Sequence, residues 1–297
     1  MNQSNQPLVS VVIPCYNHES FVQDSIQSVI DQTYQNIELI IIDDGSKDGS
    51  VEKIQEMIPA CQERFIRFEF RHRPNKGLSA TLNEALEWCE GEYFSTLASD
   101  DIMKENKTSS QVNYILKRPN CAGVFGGIEL INERSTKKRV KKSKSYSFLD
   151  ILMHDSELPA PTQLLRINIV REVGGYLNNL IIEDWYMWLK ITQEGFTLDY
   201  IGTVCAKYRY HNNNTSKKYD LILEERLKII DIFADEKNLS YAKGYAYLVA
   251  ANDWVSVNKA KSLYFYKKYL FCNERKSILE LFFKIKSFKY LFKFLVV

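Results

Sequence analysis

Two apolar patterns alternate along the first 130 residues. Short β-rich runs at 8–13, 37–42, 65–70 and 93–97 read as strands. The run Ile37 to Ile42 is almost continuously apolar, as expected of a strand buried on both faces. Between the runs, Phe21, Ile26, Val29 and Ile30 lie roughly on one face of a helix ending near Gln32. Val51, Ile54 and Ile58 then recur at spacings of three and four, and Leu78, Leu82 and Leu86 at spacings of four. Repeated βαβ units predict an α/β fold with a mostly parallel sheet flanked by helices.

The middle of the chain is less regular. Residues 122–131 read as a further strand, and the basic run from Arg134 to Lys144 as a loop. Residues 181–191 carry an acidic pair followed by a helical pattern, and from Asp220 the pattern is helical almost to the end.

Charge adds a second feature. The 297 residues suit one to two domains, with the 45% hydrophobic and 26% charged content of a globular protein. The net charge of +2 hides an asymmetry. From Lys259 onward ten basic residues face two acidic ones, so this end carries +8 and the rest −6. On a helix, Leu281, Ile285, Phe288, Phe292 and Leu295 form one stripe, with Lys286, Lys289 and Lys293 on another face. That pattern suits an interfacial helix on an anionic membrane surface; a terminal helix docked on its own domain would also produce it. No apolar run approaches the roughly 18 residues of a spanning helix. The polar start, Met1 to Pro7, reads as no secretory signal, and the six scattered cysteines as reduced thiols. The expectation is a cytoplasmic protein, peripheral on the inner face of the membrane. The basic run at 134–144 comes with no nucleic-acid-reading module, so no nucleic-acid partner is expected.

In an open α/β sheet, ligands gather beyond the carboxyl ends of the strands. Three polar segments fall there: Pro14-Cys15-Tyr16-Asn17, Asp43-Asp44-Gly45-Ser46 and Ser99-Asp100-Asp101. Neither a dinucleotide-binding G-x-G-x-x-G after the first strand nor a G-x-x-x-x-G-K-[ST] is present. Either acidic pair alone can cap a turn or a helix. Two pairs at neighbouring strand ends form a dense negative site that needs a divalent cation or a hydrogen-bonding ligand. Hard oxygen donors suit Mg²⁺ or Mn²⁺ shared with substrate phosphates.

These segments resemble inverting family 2 glycosyltransferases of the GT-A fold. The resemblance runs through Val9–Asn17, Ser28–Tyr34, Glu38–Ser50, Asn75–Asn83, Gly91-Glu92-Tyr93 and Ser99-Asp100-Asp101, and covers roughly 1–215. It implies a catalytic domain over 1–217, with a nucleotide-binding half at about 1–130 and an acceptor half at about 131–217, followed by a helical region at 218–297. It also implies donor contacts at Pro14, Tyr16, Asn17, Asp43, Asp44 and Asn75, with Asp44 on the base and Asp100 on ribose or sugar. Asp101 would coordinate the metal bridging the diphosphate. Many relatives have Asp-Ala-Asp-Asp where this chain has Ala98-Ser99-Asp100-Asp101. Glu183-Asp184-Trp185, after Gly174-Gly175-Tyr176, resembles the motif whose aspartate is the catalytic base, which assigns Asp184. Tyr208 to Ser216 resembles the closing loop, often Arg-x-His-x-x-Asn, with Arg209 toward phosphate and His211 toward metal or diphosphate. His18, His72 and His154 have no such context.

The expected function is metal-dependent transfer of a sugar from a nucleoside-diphosphate sugar, UDP-linked, to a hydroxyl of a glycan acceptor, lipid-linked in surface polysaccharide. A sugar nucleotidyltransferase would need an early Gly-rich phosphate loop, which is missing. A non-catalytic nucleotide-sugar-binding protein would have no need of Asp184.

Overall fold

The computed structural model describes residues 6–131, 136–154, 156, 158–211 and 214–272. The stripe expected at Leu281 to Leu295 lies outside the described residues. The chain divides into two compact units: 1–148 with 157–214, and 149–156 with 215–297.

The first unit opens with strand β1 (Val9–Cys15), helix α1 (Val22–Ile30), β2 (Ile37–Asp43), α2 (Ser50–Arg64), β3 (Arg67–His72), α3 (Leu78–Trp88) and β4 (Tyr93–Thr96). These are the elements that the alternating apolar pattern predicts, with ends displaced by a few residues. The unit continues through β5 (Ile102–Met103), α4 (Lys107–Ile115), β6 (Cys121–Ile131), β7 (Thr136–Arg139) and β8 (Lys144–Tyr146). After α5 (Phe148–Leu152), which belongs to the second unit from Leu149 on, the first unit resumes with β9 (Leu164–Arg166), α6 (Ile167–Glu172), α7 (Glu183–Gln193) and β10 (Thr197–Arg209).

The strands form one sheet in the order β3-β2-β1-β4-β9-β6-β10-β5, with β7 beside β6 and β8 beside β10. The long strands β1, β2, β3, β4, β6 and β10 run one way, and the short ones oppose them. Val9, Val11, Ile13, Leu39 and Ile41 pack with Val22, Ile26 and Val29 of α1 and Ile54 of α2. Every residue of β2 is buried; α3 packs against β1 and β2. The continuous apolar run in β2 is the sequence signature of this two-sided burial.

Topology fixes where a ligand can bind. The chain leaves β1 outward to β2 and β3, then returns to lay β4 on the other side of β1. That reversal opens a crevice beyond the carboxyl ends of β1 and β4.

Part of the basic run read as a loop is strand instead. Thr136–Arg139 pairs antiparallel with β6, and Lys144 opens β8. All four β7 residues are exposed. Their backbone hydrogen bonds make the strand, so no apolar alternation betrays it, and lysines are a usual device for blunting further pairing.

The second unit packs α9 (Glu236–Trp254) against α8 (Tyr219–Phe233) and α10 (Lys259–Cys272). Asp235 caps α9 by accepting from the Asn238 N–H at 2.8 Å. Ala242, Gly244, Ala246, Ala250 and Ala251 are buried, and their small size lets α9 lie close to both neighbouring helices. No helix among the described residues is long and apolar enough to cross a membrane.

One buried cation ties the first unit together. Lys107 is fully buried and donates to Ser95 Oγ at 2.7 Å and the Gln163 carbonyl at 3.1 Å. Burial lowers its pKa to about 8. An unfolded lysine titrates near 10.4, roughly. Between those values the unfolded chain holds more protons, so the stability linked to Lys107 rises with pH and is lowest below the folded pKa. In urea melts, wild type should gain up to about 3 kcal/mol over Lys107→Met between pH 8 and 10.5. Cysteine and tyrosine titrations are common to both proteins and cancel. A difference that stays flat or shrinks with pH contradicts this reading.

Candidate active site

The crevice is built from four strand-end segments. After β1 the backbone turns through Asn17, whose φ of 55° is left-handed, a conformation Asn tolerates. Its N–H donates to Ser46 Oγ at 2.8 Å, and its Oδ1 accepts from the Lys47 N–H at 2.8 Å. The His18 N–H donates to Ser50 Oγ at 2.8 Å. The first polar segment is thereby riveted to the second. Pro14 is half-buried in β1, and Tyr16 is 45% exposed.

The first acidic pair is compensated by the protein itself. Asp43 is 0% exposed. It accepts from Gly45 N–H at 3.1 Å, Ser46 N–H at 2.9 Å and Ser46 Oγ at 2.5 Å, with His72 Nδ1 at 2.8 Å. Asp44 accepts from the Arg73 guanidinium, Lys76 N–H at 2.8 Å and Gly77 N–H at 2.9 Å. Together these acids fold the loop that presents the exposed Asn75. Gly45, at φ +79°, completes it: a Cβ there would sit 2.7 Å from the Asn75 backbone nitrogen.

The second pair is different. Asp100 Oδ2 lies 2.8 Å from His211 Nε2 and 4.0 Å from His18 Nε2. The carboxylate that meets His211 is therefore Asp100. Asp101 instead accepts from the Arg209 N–H at 2.8 Å. It is 1% exposed, and burial, then the neighbouring Asp100 charge, push its carboxyl well above the usual range against the pull of Arg209. Arg209 Nε donates to the Asp100 carbonyl at 2.9 Å, and Nη2 to Asp24 at 3.1 Å. Its guanidinium also lies 4.7 Å from the Phe21 ring centroid. The motif residue Asn214 folds this loop, accepting from the His211 N–H at 2.6 Å and donating to the Arg209 carbonyl at 3.1 Å.

His18 and Phe21 enter the site without having been expected there, and Ser99, expected at this strand end, partners His18. His18 Nδ1 lies 2.7 Å from Ser99 Oγ. Burial holds His18 below the usual imidazole range, although Asp100 pulls it up. Phe21 stacks on His211, with centroids 5.6 Å apart. The one sequence signal for His18 is its place directly after Pro-Cys-Tyr-Asn at the topological reversal. One donor atom each from His18, Asp100 and His211 lies within 4.8 Å of the others. A mixed imidazole–carboxylate set of this span fits a divalent transition ion.

Asp184 is half-buried in the first turn of α7, with its Oδ1 2.6 Å from the Trp185 nitrogen. Buried Glu183 and Asp184 both bear on Tyr176, whose phenol is pushed up by burial first and by those two charges next. Asn83, the last residue of the Asn75–Asn83 motif, fixes this wall. It donates to the Tyr176 carbonyl and accepts from the Tyr176 N–H, each at 2.8 Å.

Residues 10–170, more than half of the chain, match Glycosyl transferase family 2. The chain is 31% identical over 216 residues to Bacillus subtilis TuaG, named for teichuronic acid biosynthesis, covering 71% of this chain and 82% of that protein. It is 28% identical to Escherichia coli WfgD, named UDP-Glc:alpha-D-GlcNAc-diphosphoundecaprenol beta-1,3-glucosyltransferase, covering 77% and 87%. It spans 36% of the length of a Rickettsia felis glycosyltransferase that it matches at 32% identity. Two solved structures share the fold. S. aureus TarS 1-349 with UDP-GlcNAc has a TM-score of 0.63 at 14% identity, covering 89% of this chain and 79% of that one. The mannosyltransferase PcManGT of Pyrobaculum calidifontis, with GDP-Man and Mn²⁺, has a TM-score of 0.62 at 15% identity, covering 99% and 87%. The chain belongs to glycosyl transferase family 2, and its mixed α/β sheet is of the GT-A type.

Gly45 offers a direct test of the loop geometry. Gly45→Ala must carry a left-handed residue into backbone contact, and should cost more than about 1 kcal/mol in urea denaturation. A variant as stable as wild type would show that the loop is not held as described.

Proposed function

We propose that the protein is a metal-dependent inverting glycosyltransferase acting on a nucleoside-diphosphate sugar, UDP-linked, and a hydroxyl of a glycan acceptor carried on a lipid. The observation that carries this reading is the meeting of Asp100 and His211 at the β1–β4 crevice, 2.8 Å apart. The nucleotide would lie against Pro14, Tyr16 and Asp44, with Asn17 and Asp43 holding the turn beneath and Asn75 at its rim. Asp100 and His211 would hold Mg²⁺ or Mn²⁺, with Asp101 fixing the Arg209 backbone beside them. The bound cation supplies neutralisation of the diphosphate as it leaves. Arg209 orders the closing loop and adds positive charge there.

Asp184 is the proposed general base. Its carboxylate takes the proton of the acceptor hydroxyl as that oxygen attacks the anomeric carbon, and the bond from that carbon to the diphosphate oxygen breaks on the opposite face. The configuration inverts. Glu183 and Tyr176 would set the orientation of that carboxylate.

The family relatives support a place in polysaccharide assembly, and the name of the E. coli protein supports a lipid diphosphate acceptor. The chain's +8 basic end favours a peripheral position on an anionic membrane surface, at the cytoplasmic face where nucleotide sugars are made.

Nucleotide sugars presented one at a time, with Mn²⁺ and acceptor, should reveal one donor whose nucleoside diphosphate is released. Asp184→Asn should lower kcat by about 10²-fold or more while leaving donor affinity within a few-fold, roughly. Near-normal kcat in that variant would move the base elsewhere. Full turnover after exhaustive chelation would remove the metal from the reading.

A further inference from the structure

His18 has a more specific place in the site than proximity alone. Its Nδ1 lies against Ser99 Oγ at 2.7 Å, and its backbone N–H is held by Ser50 Oγ at 2.8 Å. With Nδ1–H donating to Ser99, Nε2 carries the free lone pair, and Nε2 is the atom turned toward Asp100 Oδ2, 4.0 Å away. His211 approaches the same carboxylate oxygen from another side, at 2.8 Å. The two imidazoles meet edge to face, 6.0 Å between centroids and 83° between planes, and Phe21 backs both rings. An imidazole oriented through its other ring nitrogen, beside a carboxylate and a second imidazole, has the arrangement of a metal ligand with its supporting hydrogen bond.

We propose that His18 is a direct ligand of the divalent cation, forming a two-imidazole, one-carboxylate set with His211 and Asp100, and that this set selects Co²⁺ and Mn²⁺ over Mg²⁺. The proposal rests on the metal-dependent reading of the site. Donors about 2.1 Å from one ion stand about 3 Å apart at right angles and about 4.2 Å apart when opposed. The observed distances, 2.8 Å and 4.0 Å from the Asp100 oxygen, fall in the range of donors that share one ion. Three protein donors leave positions open for diphosphate oxygens. Imidazole nitrogen favours transition ions, and affinity rises from Mn²⁺ to Co²⁺, whereas Mg²⁺ favours oxygen donors and its own waters. Ser99 is then a positioning residue, since it fixes which His18 nitrogen faces the ion.

The test is pulsed electron paramagnetic resonance of Mn²⁺ on the full chain with UDP, combined with Mn²⁺ titration. Wild type should show two coordinated imidazole nitrogens, and His18→Asn one. The variant should bind Mn²⁺ at least about tenfold more weakly, and Mg²⁺ should displace Mn²⁺ from it at lower excess. Ser99→Ala should weaken Mn²⁺ binding about tenfold while keeping both nitrogens. The wild-type spectrum needs no variant to fold. A single imidazole in wild type, with Mn²⁺ lost in His211→Asn but not in His18→Asn, overturns the His18 assignment and leaves the metal-dependent reading standing. Wild type that binds no Mn²⁺ in the presence of UDP overturns both.

Discussion

Asp100 is the joint on which the site depends. Its carboxylate binds His211, 111 positions away in sequence, and faces His18 from the neighbouring strand end. Its carbonyl accepts from Arg209, whose own backbone N–H is bound by Asp101. The adjacent acids therefore clamp the end of β10 through both main chain and side chain. Arg209 and His211 are held at the crevice by this clamp and by the bonds of Asn214.

That clamp works because the sheet delivers the two ends to it. The reversal of strand order at β1 opens the crevice, and the β10 strand, parallel to β6, carries Arg209 to the same edge. Asp43 and Asp44 serve a separate purpose. Their oxygens are engaged by backbone N–H groups, His72 and Arg73, so they shape a loop without needing a cation. The two acidic pairs therefore differ in role: the first is compensated by protein donors, and the second stands among histidines.

The nucleotide half was legible in the chain because its strands are buried on both faces and its helices are amphipathic. β2 reads as a continuous apolar run for that reason. In the second half the helical pattern at 181–191 was legible as α7, but the strands were not. β7 is exposed, β8 and β9 have three residues each, and β10 mixes buried and exposed positions along thirteen residues. Such strands are specified by backbone pairing rather than by side-chain period. In the site, Asp100, Asp101, Arg209 and His211 stood out through their motifs. His18 did not, because a histidine beside an asparagine carries no spacing signal; its partnership with Ser99 exists once β1 and β4 are neighbours. Lys107 was hidden likewise, since a lysine in a helical pattern reads as solvated until the fold buries it.

The account's central claim is that the β1–β4 crevice is a metal–diphosphate centre organised by Asp100. The most direct measurement is anomalous diffraction from crystals soaked with Mn²⁺ and UDP. The account predicts one anomalous peak within bonding distance of Asp100 and His211, with the diphosphate on its open side. A peak at Asp43 and Asp44, or diphosphate bound with no metal beside Asp100, would contradict it.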